Sequence, residues 1–83
     1  MDKIYNLVEQ ISKNMVEVFK TNVQKKAESK MILSTLNETF PSLKVNFDLD
    51  DPDKILRVEG HDIKLKEIIH LTNSKGFECE ILK

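Results

Sequence analysis

The sequence predicts an α+β fold in which two helices cover one face of a four-stranded antiparallel sheet. Three observations support this prediction. Apolar and polar residues alternate along some short stretches, which is typical of strands, and apolar residues recur every three or four positions along other stretches, which is typical of helices. Turn residues separate the predicted strands from the predicted helices. The predicted order is strand, helix, strand, strand, helix, strand, which is the ferredoxin-like βαββαβ unit. A chain of 83 residues has room for one such domain.

An amphipathic helix is expected before this unit. Ile4, Leu7, Val8 and Ile11 are spaced three and four positions apart, which would place them on one helical face. Met15 could also be a translation start, in which case the preceding residues would be a dispensable extension. We therefore divide the chain into an N-terminal amphipathic helix or extension, residues 1–14, and a ferredoxin-fold domain, residues 15–83.

The first strand and first helix follow directly. Residues 15–21 are rich in β-branched and aromatic side chains and contain no Gly or Pro, which favours a strand. Thr21 and Gln24 have the spacing of a capping box, and Asn22 is an alternative cap, so a helix is expected to begin here. Pro41 ends it. One stripe of this helix is apolar: Ile32, Leu36 and Phe40.

A β-hairpin comes next in the prediction. Apolar residues alternate with polar ones over 43–50, and residues 51–53 read Asp-Pro-Asp, which is typical of a turn. Residues 54–60 return as the second strand, with Leu56 and Val58 facing inward.

The second helix and last strand complete the unit. Asp62 is the predicted helix cap, and Lys75 followed by Gly76 is a helix stop. Residues 77–82 alternate again and predict the fourth strand. The buried side of this helix is expected to hold Leu65, Ile68, Ile69 and Leu71.

Composition narrows the function classes. A net charge of −1 argues against nucleic-acid binding, which requires clustered cations. No run approaches the ~20 apolar residues of a membrane span, and the charged start does not resemble a signal peptide. We therefore expect a cytoplasmic protein, and a single cysteine, Cys79, is compatible with a reducing compartment. The sequence contains no nucleophile motif or glycine-rich phosphate loop, so we predict that it is not an enzyme.

The chain resembles the heavy-metal-associated domains, the copper-chaperone family, over residues 15–82. That family carries a Met-x-Cys-x-x-Cys loop at the start of its first helix, and an ungapped alignment places Val23 at the methionine and Lys25 and Glu28 at the cysteines. The family's Gly-aromatic pair appears as Gly76 and Phe77. Its apolar positions fall on Ile32, Leu36, Val45, Phe47 and Leu49.

The resemblance implies a degenerate member of this family without the metal site. Cu(I) is held by two thiolates in such loops, whereas Lys25 and Glu28 offer a cation and a hard oxygen. No cofactor is therefore expected. Thr72 is a smaller departure, because the family usually has an aliphatic residue there.

Other candidate ligands have simpler interpretations. Cys79 alternates with apolar neighbours and is expected in the core, as buried free cysteines commonly are. His61 and His70 are nine positions apart, so on one helix they would point to opposite faces. The acidic hairpin could attract a hard cation but lacks the glycine and terminal Glu of a calcium loop, so a solvated turn is favoured. It contains Asp48, Asp50, Asp51 and Asp53.

A candidate interaction surface follows from the topology. In a βαββαβ unit the first loop, the hairpin tip and the turn after the second helix lie at the same end. Basic residues at the start of the first helix, Lys20, Lys25, Lys26 and Lys30, would then lie beside the acidic hairpin, although an ordinary charged surface is the simpler interpretation. The surface comprises Lys25, Lys26, Glu28, Asp48, Asp50, Asp51, Asp53 and Lys75.

These observations predict a small, non-enzymatic binding or protein-interaction module. The expected partner is another protein or a second copy of the chain, and the amphipathic N-terminal helix is expected to dock either on this domain or on a second copy of it. Two alternatives stay open: a regulatory domain that senses a small amino acid, and a metal-binding protein with a rebuilt site. Neither nucleic acid nor membrane is an expected partner.

Overall fold

A computed structural model describes residues 15–82, and the predicted N-terminal helix, residues 1–14, lies outside them. The four strands form one antiparallel sheet in the order β2-β3-β1-β4. This architecture confirms the predicted α+β class and is compatible with the ferredoxin-like unit. The elements are β1 (Met15–Thr21), α1 (Lys26–Thr39), β2 (Lys44–Asp48), β3 (Ile55–Gly60), α2 (Leu65–Ser74) and β4 (Cys79–Ile81).

The core lies between the sheet and the two helices. Phe19 on β1 is opposite Leu56 on β3, and both side chains are fully buried together with Val58. The inward orientation predicted for Leu56 and Val58 is therefore confirmed. Helix α1 packs against β2, α2 packs against β4, and the helices contact each other, so both cover the same face. They bury three large apolar side chains in the core: Ile32, Leu36 and Ile68.

Both predicted helix caps were wrong. Helix α1 begins at Lys26 rather than near Thr21, because the Thr21 hydroxyl bonds to the hairpin and Asn22 bonds to residue 78. Helix α2 begins at Leu65, and the Asp62 carboxylate lies 3.2 Å from Lys64 Nζ instead of capping the helix. The spacing of Thr21, Asn22 and Asp62 in the sequence suggested helix caps, but each side chain contacts another group instead.

The predicted helix stop is confirmed. Gly76 has a φ of 95°, a conformation that favours glycine, and its N–H donates to Asn73 O at 2.9 Å. The N–H of Phe77 donates to Thr72 O at 3.3 Å, so Phe77 belongs to the helix exit and β4 is shorter than predicted. Strand β2 is also shorter, because the chain enters the turn directly after Asp48.

Neither helix within residues 15–82 is long and apolar enough to cross a membrane.

Candidate functional site

Three connections converge at one end of the domain, as the topology predicted. They are the β1–α1 loop (residues 22–25), the β2–β3 hairpin (49–54) and the α2–β4 turn (75–78), and together we call them the loop end. The N–H of Thr21 donates to Asp53 O at 3.1 Å, and the N–H of Glu78 donates to Asn22 Oδ1 at 2.8 Å. These bonds tie the first loop to both of its neighbours.

Thr21 is the central buried polar residue of the loop end. Its hydroxyl donates to Lys54 O at 2.5 Å and accepts from the Val23 N–H at 3.2 Å. Val23, which the alignment with heavy-metal-associated domains would place at their methionine, is fully buried. Sequence reasoning missed this role of Thr21, because its partner lies in the hairpin and no local pattern indicates the contact.

Lys25 and Glu28, which the predicted alignment places at the cysteine positions of heavy-metal-associated domains, lie at the start of α1. Lys25 is the exposed N-cap residue, and Glu28 Oε1 accepts from the N–H groups of Lys25 at 3.1 Å and Gln24 at 3.3 Å. The first N–H groups of a helix have no partner inside the helix, so an acidic residue here satisfies them and complements the positive helix end. Glu28 therefore has a structural role of its own.

The hairpin uses two of its four carboxylates to shape the turn. Asp51 Oδ1 accepts from the Asp53 N–H at 2.8 Å, and Asp48 Oδ1 accepts from the Asp50 N–H at 3.2 Å. Lys20 Nζ lies 3.9 Å from Asp53 Oδ1 at the sheet side of the hairpin. Across residues 15–82, no three His, Cys, Asp or Glu side chains are arranged to hold a metal ion.

A groove between α1 and the hairpin brings opposite charges together. Lys26 and Lys30 on α1 line one side, and Asp48 and Asp50 line the other. Exposed charges that face each other across a groove contribute little to stability, so their effect on approaching molecules matters more. Lys75 lies apart from this groove, at the exposed end of α2.

Cys79 is in the core, as predicted. Its side chain is 8% exposed, and burial raises the pKa of the thiol to about 11, with a hydrogen bond to Thr72 acting in the opposite direction. The thiol is therefore protonated near neutral pH and is a poor soft-metal ligand. His61 precedes α2, so the assumption that both histidines share a helix was wrong; His61 and His70 are exposed.

A second concave surface lies between the C-terminal half of α1 and helix α2. It is mainly apolar, with Phe40 and Leu71 at its base and Lys66, Glu67 and His70 around it. The sequence does not indicate this cleft, because its residues come from separate elements and each fits an ordinary amphipathic helix.

Comparisons with protein-family models, with curated proteins and with solved structures found no match to this chain. The resemblance to heavy-metal-associated domains thus stays a hypothesis based on the residues quoted above.

Proposed function

We propose that this chain is a small, non-enzymatic protein-interaction module of ferredoxin-like form, whose loop end docks another protein. One observation carries the proposal: hydrogen bonds join the three connections of the loop end, and a basic area lies directly beside an acidic one. Across the groove, Lys26 and Lys30 face Asp48 and Asp50, and the exposed N-cap residue Lys25 extends the basic area at the start of α1.

Adjacent areas of opposite charge favour recognition of one partner orientation. A partner with the complementary pair of charges gains attraction on both areas, whereas a rotated partner meets like charges. Because backbone hydrogen bonds and Thr21 fix the connections, little conformational entropy is lost on docking. The partner we propose carries an acidic area beside a basic one.

The side chains at the start of α1 are poor ligands for Cu(I), which supports protein docking over metal transfer. A degenerate heavy-metal-associated domain would keep the family's docking end after losing its two thiolates. Here Lys25 offers a cation, and Glu28 is engaged by two backbone N–H groups. We place this module in the cytoplasm, which is an expectation from the sequence alone.

Charge reversal with a matched control tests the proposal. Bound proteins are quantified from lysate on the wild-type chain, on Lys25→Glu/Lys26→Glu, and on Lys64→Glu/Lys66→Glu, which changes charge equally at the start of α2. We expect a specific partner to be lost with the first variant and retained with the second. Equal capture by all three chains would contradict the proposal.

The cleft between the helices favours a second candidate, a sensor of a small amino acid. Its apolar base, Phe40 and Leu71, lies beside the charged side chains of Lys66 and Glu67, which could accept a ligand with an apolar body and charged ends. An amino acid that raises the melting temperature of the wild type but not of Leu71→Asp would support the sensor. No shift across the common amino acids would exclude it.

A further inference from the structure

Strand β2 is an edge of the described sheet. Its hydrogen-bonded neighbour is β3, and the register between them runs without a bulge from Lys44 to Asp48. The strand contains no proline. A regular edge of this kind presents unpaired backbone N–H and C=O groups that can bond to another strand.

The sequence of β2 is complementary to itself when reversed. It reads Lys-Val-Asn-Phe-Asp, with Lys44, Asn46 and Asp48 exposed and Val45 and Phe47 half-buried. We infer that two copies of this chain associate by antiparallel pairing of their β2 strands about a two-fold axis at Asn46, which joins the two sheets into one.

In this register the charged pairs and the apolar pairs are both favourable. Lys44 lies opposite Asp48 of the second copy, and the symmetry repeats this ion pair on the other side of the axis. Val45 lies opposite Phe47 of the second copy, on the face that the helices cover. Oppositely charged pairs and aromatic pairs with β-branched residues are the combinations that stabilise antiparallel strands.

Other pairings are less favourable. A parallel β2 pair would place Lys44 beside Lys44, and shifting the antiparallel register removes the match of Lys44 with Asp48. The other edge, β4, would place Glu80 opposite Glu80 in a pairing centred on that residue. Like charges directly opposite one another destabilise a sheet. The β2 edge centred on Asn46 is therefore the self-complementary one.

Helix α1 reinforces the same symmetry. Lys30 and Leu33 line a groove together with Asn46 and Asp48, so this side of α1 lies next to the β2 edge. Lys30 and Glu38 border a neighbouring surface that also contains Ser34. A two-fold axis beside α1 runs the two helices antiparallel, which brings Lys30 towards Glu38 of the second copy.

This inference does not rest on the proposed function. Asp48 belongs to both surfaces, but Lys44 lies at the end of β2 away from the hairpin and has no part in the loop end, so Lys44→Asp is the variant that separates the two proposals. A variant that no longer dimerises can still be tested for capture of a partner through Lys25 and Lys26. A variant that no longer captures a partner can still be tested for dimerisation.

The test is sedimentation velocity of the full chain over a concentration series. We expect a monomer–dimer equilibrium for the wild type. Lys44→Asp and Asp48→Lys should each raise the dissociation constant about tenfold or more, because each replaces two attractive pairs with two repulsive ones. The double swap Lys44→Asp/Asp48→Lys should return it to near the wild-type value, and an equal mixture of the two single variants should form heterodimers.

Three results would overturn the inference: a wild type that stays monomeric at its highest soluble concentration, a dimer that the charge reversals do not weaken, or single variants whose mixture does not associate. Glu80→Lys is the matched control and should leave the equilibrium unchanged; an altered equilibrium would assign the contact to β4. Lys44 lies opposite Glu59 on β3, so circular dichroism and urea unfolding confirm that each variant is folded.

Discussion

The Thr21 hydroxyl donates a 2.5 Å hydrogen bond to the carbonyl oxygen of Lys54, which joins the end of β1 to the base of the hairpin. The same oxygen accepts from the N–H of Val23 in the first loop. One buried side chain therefore holds two of the three connections of the loop end in position. The arrangement of the charged residues at the loop end therefore depends on the hydrogen bond from Thr21 to Lys54.

Thr21→Val should lower the free energy of unfolding by about 1–3 kcal/mol, because it keeps the side-chain volume but leaves a buried donor and a buried acceptor without their partner. Urea unfolding measures the loss. Thr39→Val is the control: the Thr39 hydroxyl bonds within α1 and is exposed, so its removal should change stability by less than about 0.5 kcal/mol. Equal effects of the two substitutions would show that the Thr21 bond is unimportant.

Glu28→Ala should cost about 1 kcal/mol of stability, because the N–H groups of Gln24 and Lys25 lose their acceptor. Glu28→Gln should recover most of that loss, since its amide oxygen can accept the same bonds. Thermal unfolding of the two variants beside the wild type measures both effects. A Gln variant as unstable as the Ala variant would show that charge, rather than hydrogen bonding, is what the helix start requires.

Stability should fall at alkaline pH through Cys79. The pKa of its thiol is raised from 9.0 to about 11 in the folded protein, so the folded state holds the proton more tightly than the unfolded chain. This contribution is complete below about pH 9 and is lost as the pH rises towards 11; two pKa units correspond to about 2–3 kcal/mol.

Cys79→Ala separates this effect from the titration of lysine and tyrosine. The variant has a different overall stability because of lost packing, but the difference between wild type and variant should shrink as the pH rises from 9 to 11. Urea unfolding at several pH values measures that difference. A constant difference across the range would mean that the thiol is not buried as described.

The order of the elements and most of the core could be predicted because they depend on local periodicity. Leu56, Val58 and Ile32 follow from spacing alone, and Gly76 ends α2 because its backbone conformation suits glycine. The helix starts could not be predicted in the same way. Thr21 and Asn22 have the composition of caps, but residues of the hairpin and of the α2–β4 turn compete for their side chains.

The sequence predicts where the loop end lies in the fold but not the hydrogen bonds within it. The βαββαβ order places the three connections at one end, so Lys26 and Asp50 could be expected there from topology. The engagement of Glu28 with backbone N–H groups and the link from Asn22 to Glu78 depend on distances that a sequence does not contain. The cleft at Phe40 and the edge at β2 require the packed structure.

We propose that the start of α1 serves helix capping and protein docking in place of thiolate metal binding. Competition for Cu(I) and Zn(II) against a chromophoric chelator tests it most directly, with the wild type beside Lys25→Cys/Glu28→Cys and each single variant. We predict that the wild type does not compete, that the single variants compete weakly, and that the double variant withdraws Cu(I), because two thiolates are needed. If the wild type withdraws Cu(I) from the chelator and Cys79→Ser abolishes this, the proposal is contradicted. If the double variant fails to bind Cu(I), this loop does not resemble the metal loop of heavy-metal-associated domains.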